Sequence, residues 1–304
     1  TGQSESGGYV YFTSGIGTST SSGDIHLSTS NSGVAGVSGH VQMRTGSTTV
    51  GSSGTFTFST GTATSGRAGH VFVNVGSGNS GSGGNIEMQA GYQRTVTGLT
   101  GGLVRITTGT SQKTSSGDMS LYTADAGEVG VSGTINMSTG IGTNPLASAG
   151  NINIITGMST THRGGKITVS VGDTSQGNGN DVEITAGQTT SATSTGGQIN
   201  ITAGYGAHGS AGAGGEINVI AGASNSDVIN APGGDINVVA GDAKTSDAGS
   251  VFMSSGYSTL ADSGSFTIQT DDSGSAGVSG SMLLQTGDSL SGSSGSISVN
   301  TGDS

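Results

Sequence analysis

The chain has 304 residues, of which 61 are glycine and two are proline, and it contains neither cysteine nor tryptophan. Without cysteine it can form neither a disulfide framework nor a thiolate metal site. Eight scattered Lys and Arg stand against nineteen Asp and Glu, and the resulting formal charge of -11 argues against nucleic acid or an anionic membrane surface as a partner. No apolar stretch reaches the length of a membrane span.

The first patterned stretch lies at residues 8–15. Val10 and Phe12 alternate there with Tyr11, and Gly15 ends the alternation. Period-two alternation bounded by glycine is typical of a strand that buries one face. The sequence therefore predicts a short β-strand at this position.

The same pattern, G-x-(I/V)-x-(I/V/L/M)-x-(T/A)-G, recurs along the chain with small variations. It occurs nineteen times at intervals that average about 16 residues, which is the signature of a repeat architecture. Each occurrence, here termed a run, begins at an opening position and ends at a closing position, and a small, polar return leads to the next run. The opening positions are 8, 23, 39, 54, 69, 84, 102, 117, 133, 150, 165, 180, 197, 215, 234, 249, 264, 280 and 295, and all are glycine except Asn180.

Three columns of side chains follow from this register. The second column is apolar from Phe12 to Val299, and the third, directly before the closing position, holds only Thr, Ala, Val or Ser. The first column is predicted to form the structural core, because its aliphatic residues fall on the inward side of every run. The predicted core residues are Ile25, Val41, Ile86, Ile135, Ile152, Ile167, Ile199, Ile217 and Ile236.

Columns of like residues with one strand per repeat predict parallel strands stacked in register about 4.8 Å apart. We therefore expect an all-β fold, a narrow parallel β-solenoid (β-helix) of about 19 coils with ~16 residues per coil. Residues 1–304 are predicted to form one continuous array. A flexible linker is the alternative that the Gly and Ser content suggests, and the fixed phase of the aliphatic residues argues against it.

Three returns differ from the others in the same way. They follow Ser30, Ala124 and Asp271, which replace the closing glycine, and each ends in Gly-Val-Ser-Gly. This shared ending predicts a second type of turn.

The two ends of the sequence occupy the same phase of the repeat. Thr1 and Gly2 correspond to Thr301 and Gly302, and neither end carries a capping helix or a charged, proline-bearing edge. Uncapped parallel edges are templates for pairing. We expect axial contacts at these four residues, either inside a longer array or between molecules that stack end to end.

Few side chains are placed for chemistry. Glu216 and Asp235 fall on adjacent predicted coils, where two carboxylates are able to hold a cation, and a solvated acidic patch is the alternative. The five histidines show none of the spacings of zinc sites or catalytic triads. The sequence therefore predicts no enzyme, no resident metal and no cofactor.

Some segments resemble known repeat families. Ala203-Gly-Tyr-Gly206 and Ser255–Leu260 are similar to the repeats of bacterial ice-nucleation proteins, which implies ice binding by a flat face. Gly177-Asn-Gly-Asn-Asp181 resembles one fragment of the calcium-binding nonapeptide of secreted repeat toxins and adhesins, a family that repeats the motif in every turn. In architecture, the whole chain is similar to repetitive extracellular adhesins and filament proteins, which implies a β-solenoid.

These observations lead to one expectation of function. The chain is expected to form the shaft of an extracellular filament, surface appendage or adhesin stalk at the cell surface, by stacking of β-solenoid coils. Its expected partners are copies of itself and O-linked glycans on the Ser and Thr of the returns, with no nucleic acid and no membrane span. The alternative is a binding module that recognises ice or polysaccharide along a flat solenoid face.

Overall fold

The computed structural model describes residues 7–94, 100–144, 146–207, 212–226 and 231–302. These residues form neither α-helix nor β-strand, and the short turns and bends lie in the returns. The prediction of an all-β fold, a parallel β-solenoid or β-helix, is therefore wrong for this part of the chain. The flat solenoid face on which the ice and polysaccharide alternative depended is not found there either.

The solenoid fails because successive runs do not pair side by side. A parallel sheet needs evenly spaced N–H···O=C bonds along each pair of strands. Across the described ranges, no main-chain hydrogen bond joins the interiors of two runs. Each repeat offers two large aliphatic side chains, while most of its other residues are Gly, Ser and Thr, whose backbones lose entropy on ordering without adding apolar burial.

Most of the chain's surface remains in contact with water. The accessible surface is 31139 Å², whereas a folded monomer of this mass exposes about 11,500 Å² and an unfolded chain about 42,000 Å². None of the described residues is buried. The described part of the chain therefore has no hydrophobic core.

The Cα trace divides into two units, Thr1–Ile152 and Asn153–Ser304. The division falls inside the run at 150–157, and runs and returns of the same kind occur in each unit. The prediction of one continuous array over 1–304 stays a prediction.

Among the described residues, eight returns are closed by the same main-chain hydrogen bond, which we name the glycine clasp. The opening glycine of one run donates its amide to the carbonyl of the closing glycine of the preceding run, with N–O distances of 2.8–3.1 Å. Three clasps lie in the first unit and five in the second. The donor and acceptor pairs are Gly23–Gly15, Gly102–Gly91, Gly117–Gly109, Gly197–Gly187, Gly215–Gly204, Gly234–Gly222, Gly249–Gly241 and Gly264–Gly256.

The third-column residue before the closing position correlates with the presence of the clasp. Clasps accompany every alanine in this column, namely Ala90, Ala186, Ala203, Ala221 and Ala240, and both serines, Ser14 and Ser255. Among the threonines that precede a further run, only Thr108 accompanies a clasp within the part of the chain that the structure describes; the others are Thr29, Thr45, Thr60, Thr123, Thr139, Thr156, Thr270 and Thr286. In the described ranges, neither Val75 nor Val171 accompanies a clasp.

Steric contact contributes to this correlation, because the opening glycine rests on the third-column side chain. A Cβ added to Gly102 would lie 2.9 Å from the amide nitrogen of Gly91 and 3.2 Å from the Cβ of Ala90. One added to Gly39 would instead meet the Cβ and Cγ2 of Thr29, both at 3.2 Å. At Thr29 the methyl group thus fills the space in which two glycine backbones approach each other beside alanine, whereas Thr108 leaves room for a clasp, with an added Gly117 Cβ lying 3.7 Å from the Thr108 Cβ. In the return after Thr29 and in two others, the hydroxyl bonds the opening glycine's carbonyl instead, from Thr29 to Gly39, Thr60 to Gly69 and Thr156 to Gly165.

In four seven-residue returns, a serine two residues after the closing glycine stabilises the turn. Its Oγ accepts a hydrogen bond from the main-chain amide three residues later, at 3.0–3.1 Å. Hydroxyl side chains commonly stabilise turns in this way. The four serines are Ser111, Ser159, Ser258 and Ser289.

Two of the three variant returns share a backbone feature. Gly36 and Gly130 stand at the same place, three residues before the opening glycine, and have positive φ angles of 155° and 131°. In the third such return, the Gly277 amide bonds the Gly274 carbonyl at 3.4 Å. The predicted second turn type therefore corresponds to a shared geometry in the first two of these returns.

Candidate functional site

The described residues contain none of the usual features of a catalytic or ligand site. They enclose no cavity, and no group of three or more His, Asp or Glu side chains among them is placed to hold a metal. A helix long and apolar enough to cross a membrane is also not found in the described ranges. The candidate site must therefore be a surface.

The residues predicted as the core lie on that surface. Ile25, Val41, Ile86, Ile135, Ile152, Ile167, Ile199, Ile217 and Ile236 are 48–63 % exposed, so they form no buried core in the isolated chain. The second column is more exposed still, as at Leu27 and Ile201. We name the first- and second-column side chains together the apolar surface.

Most of the half-buried residues in the described ranges belong to the third column. Of the twelve described residues that are half-buried, eight belong to this column: Ser14, Ala90, Thr123, Ala186, Ala203, Ala221, Ala240 and Thr286. The next opening glycine covers them, whereas no comparable neighbour covers the large aliphatic residues that precede them. Chain closure therefore shields the small side chains and leaves the apolar surface in water.

Side chains two residues apart contact each other within several runs. The rings of Tyr9 and Tyr11 stack with centroids 6.0 Å apart, and those of Phe56 and Phe58 lie 6.2 Å apart. The hydroxyl of Thr185 also donates to a carboxylate oxygen of Glu183 at 3.2 Å. Local backbone geometry thus places alternate side chains on a common side, although no neighbouring run pairs with them in the described ranges.

Glu216 and Asp235 flank the apolar surface where the runs are most alike. Each directly precedes a first-column isoleucine, Ile217 or Ile236, and both carboxylates are exposed. They belong to no group of three potential metal ligands within the described residues. The predicted cation site thus gains no further ligand from the structure.

The predicted axial contacts are only partly visible. Thr1 and Gly2 lie outside the described residues, and Thr301 and Gly302 are exposed. The structure contains a single copy of the chain, so axial contact between molecules stays a prediction.

The repeat pattern by itself does not indicate the glycine clasp. Its signal was nevertheless present, because the third column changes between Ala and Thr along the chain. Both residues fit a column of small side chains, although they differ by one methyl group and one hydroxyl. The serine two residues after the closing glycine is a second signal, and it marks the seven-residue returns in which the hydroxyl accepts a hydrogen bond.

Comparison with known proteins adds no relative. No family model matches the chain, and no curated protein or solved structure is significantly similar to it.

Proposed function

We propose that this protein is a non-enzymatic structural protein that forms the shaft of an extracellular filament, surface appendage or adhesin stalk. Copies of the chain associate with one another through the apolar surface. The observation that supports this proposal is the exposure of large aliphatic side chains at the same two positions of run after run.

Exposure on this scale favours association. Large exposed apolar patches on a soluble protein mark interaction sites, because water is released when a partner covers them. In the run at 215–222, Ile217, Val219 and Ile220 are all exposed. Burying one such side chain contributes about 1.5–3 kcal/mol, so a series of runs provides many small, equivalent contributions.

A second copy of the chain is the partner that fits this surface. The aliphatic residues recur with a spacing that another copy reproduces along its whole length, whereas an unrelated partner would need the same period. The runs at 197–204, 215–222 and 234–241 are close variants of one another, each with Ile-Asn followed by Ile or Val. Neighbouring runs therefore offer equivalent contact positions.

The test compares two double variants of the full chain. Ile217→Asp with Ile236→Asp places charges in the apolar surface, while Asn218→Asp with Asn237→Asp adds the same charge at the adjacent positions. Sedimentation velocity and electron microscopy over a range of protein concentrations measure particle size. We expect large assemblies for the wild type and the asparagine variant, and an association constant at least roughly tenfold lower for the isoleucine variant.

Two results would contradict the proposal. A wild-type chain that stays monomeric at all concentrations would exclude a self-associating shaft. Equal weakening by both double variants would show that added charge, and not loss of apolar contact, controls the assembly.

O-linked sugars on the Ser and Thr of the returns are a separate part of the proposal. They are compatible with association because the returns lie between the runs that carry the apolar surface. Intact mass of the protein isolated from its source checks this part: a mass above 29.2 kDa by whole sugar units is expected, and the bare sequence mass would refute it.

A further inference from the structure

The return at 173–179 contains a dipeptide that occurs nowhere else in the sequence. Asn178 is followed directly by Gly179, whereas the other exposed Asn residues of the returns precede larger residues, as in Asn31-Ser32 and Asn79-Ser80. Glycine has no Cβ, so its amide nitrogen is open to the side chain before it. This pair is the most favourable place in the chain for attack of the backbone on an asparagine side chain.

The local structure leaves both reacting groups free. Within the described residues, neither the side chain of Asn178 nor the amide of Gly179 has a hydrogen bond, and both residues are exposed. Preceding residues are held by Thr174, whose hydroxyl donates to the Gln176 carbonyl at 2.7 Å. This hydrogen bond ends at Gln176, before Asn178. In the described residues, therefore, no hydrogen bond opposes the rotation of Asn178 that ring closure requires.

A left-handed glycine lies next to the pair. Gly177 has φ of 91°, a conformation that residues with a side chain seldom adopt. A Cβ added to Gly179 would meet nothing within 4 Å. Alanine therefore fits at position 179 without strain, and a substitution there changes the chemistry while leaving the packing intact.

We infer that Asn178 is a site of spontaneous modification through a succinimide. The Gly179 nitrogen attacks Cγ of Asn178 and forms a C–N bond, the Cγ–Nδ2 bond breaks, and ammonia leaves with the proton that the Gly179 nitrogen gives up. Water then adds to either carbonyl of the ring and opens it. Opening yields aspartate or isoaspartate at position 178, with no oxidant or enzyme required.

The product changes the return in two ways. A new carboxylate is placed three residues before Asp181 and increases the negative charge of the return. The isoaspartate form also lengthens the backbone by one carbon. The change lies two residues before Asn180, which is the one opening position that is not glycine.

The experiment follows the full chain during incubation at neutral and mildly alkaline pH. Cleavage before aspartate releases the peptide 173–180, because Asp173 and Asp181 bound it. Mass spectrometry of this peptide measures the loss of the amide at Asn178, and a new cleavage before residue 178 distinguishes aspartate from isoaspartate, which resists cleavage. The rate is expected to rise with pH, because the amide nitrogen attacks in its deprotonated form.

Two controls decide the result. Asn31, which precedes Ser32, is expected to react at least roughly tenfold more slowly than Asn178 in the same sample, a difference of about 1.4 kcal/mol in activation free energy. Gly179→Ala is expected to slow the reaction at Asn178 by a similar factor. An Asn178 that reacts no faster than Asn31, or an unchanged rate in Gly179→Ala, would overturn the inference.

Discussion

Two regions of the chain close their returns differently. Between residues 187 and 264, five successive returns carry a glycine clasp, and each follows alanine or serine in the third column. Between residues 29 and 84, four successive returns lack it, and each follows threonine or valine. The two regions carry the same repeat pattern, so the difference points to the third-column side chain as one determinant of how the backbone closes, although the clasp beside Thr108 shows that a branched residue does not always prevent it.

The clasp is a local hydrogen bond between the two ends of one return, and it does not produce a sheet. A main-chain hydrogen bond contributes only about 0.5–1.5 kcal/mol net, which stabilises the closure of a short loop. It joins one end of a run to the start of the next and leaves the interiors of both runs unpaired. Even the clasped region therefore lacks strands among its described residues.

Replacement of an opening glycine is expected to have the largest effect on the clasp. In Gly102→Ala, the added methyl would lie 2.9 Å from the Gly91 nitrogen. Relief of this overlap separates the two backbones, and we expect loss of the clasp with a local penalty of about 1–3 kcal/mol. The temperature coefficient of the residue 102 amide shift, measured by NMR, reports the hydrogen bond.

Gly101→Ala is the matched control for that variant. Its added Cβ would lie at an ordinary contact distance of 3.6 Å from the Gly91 carbonyl oxygen. The residue 102 amide should stay hydrogen-bonded in this control. An amide that remains bonded in Gly102→Ala would show that the opening position does not require glycine.

Exchanging the third-column residues of the two regions should open a clasp in one region and create a clasp in the other. Ala221→Thr is expected to open the Gly234–Gly222 clasp, and Thr60→Ala to create one between Gly69 and Gly61, each with a change of about 1 kcal/mol. Amide hydrogen exchange at Gly234 and Gly69 measures both effects.

Thr60→Ser separates the methyl group from the hydroxyl. It keeps the hydroxyl that donates to the Gly69 carbonyl at 3.4 Å and removes only the methyl. If the methyl blocks the clasp, the serine variant should form it, as Ser14 and Ser255 do. A clasp in Thr60→Ala but not in Thr60→Ser would assign the block to the hydroxyl instead.

The smallest expected effect concerns the turn inside a clasped return. Ser258→Ala removes the Oγ that accepts from the Ala261 amide at 3.0 Å. We expect faster exchange of that amide, with a change of about 0.5 kcal/mol, and little change at the Gly264–Gly256 clasp. Ser258→Thr keeps the acceptor and should behave as the wild type does; equal exchange in all three proteins would show that the turn does not depend on the hydroxyl.

The sequence alone determined the local features of this protein. Its register located the opening glycines, which lie against the third-column residues of the preceding runs, and the shared ending of the variant returns matched positive φ angles at Gly36 and Gly130. These features depend on residues close together in the chain, where steric fit and glycine geometry are decided by residue type.

The tertiary structure decided what surrounds each run. Period-two alternation indicates which side of the chain Ile199 or Ile217 occupies, but it carries no information on whether another strand lies beside it. Lateral pairing requires many hydrogen bonds between runs to offset the entropy of ordering glycine-rich returns. The isolated chain does not form those bonds in its described ranges, so its regularly spaced aliphatic side chains remain exposed instead of forming a core.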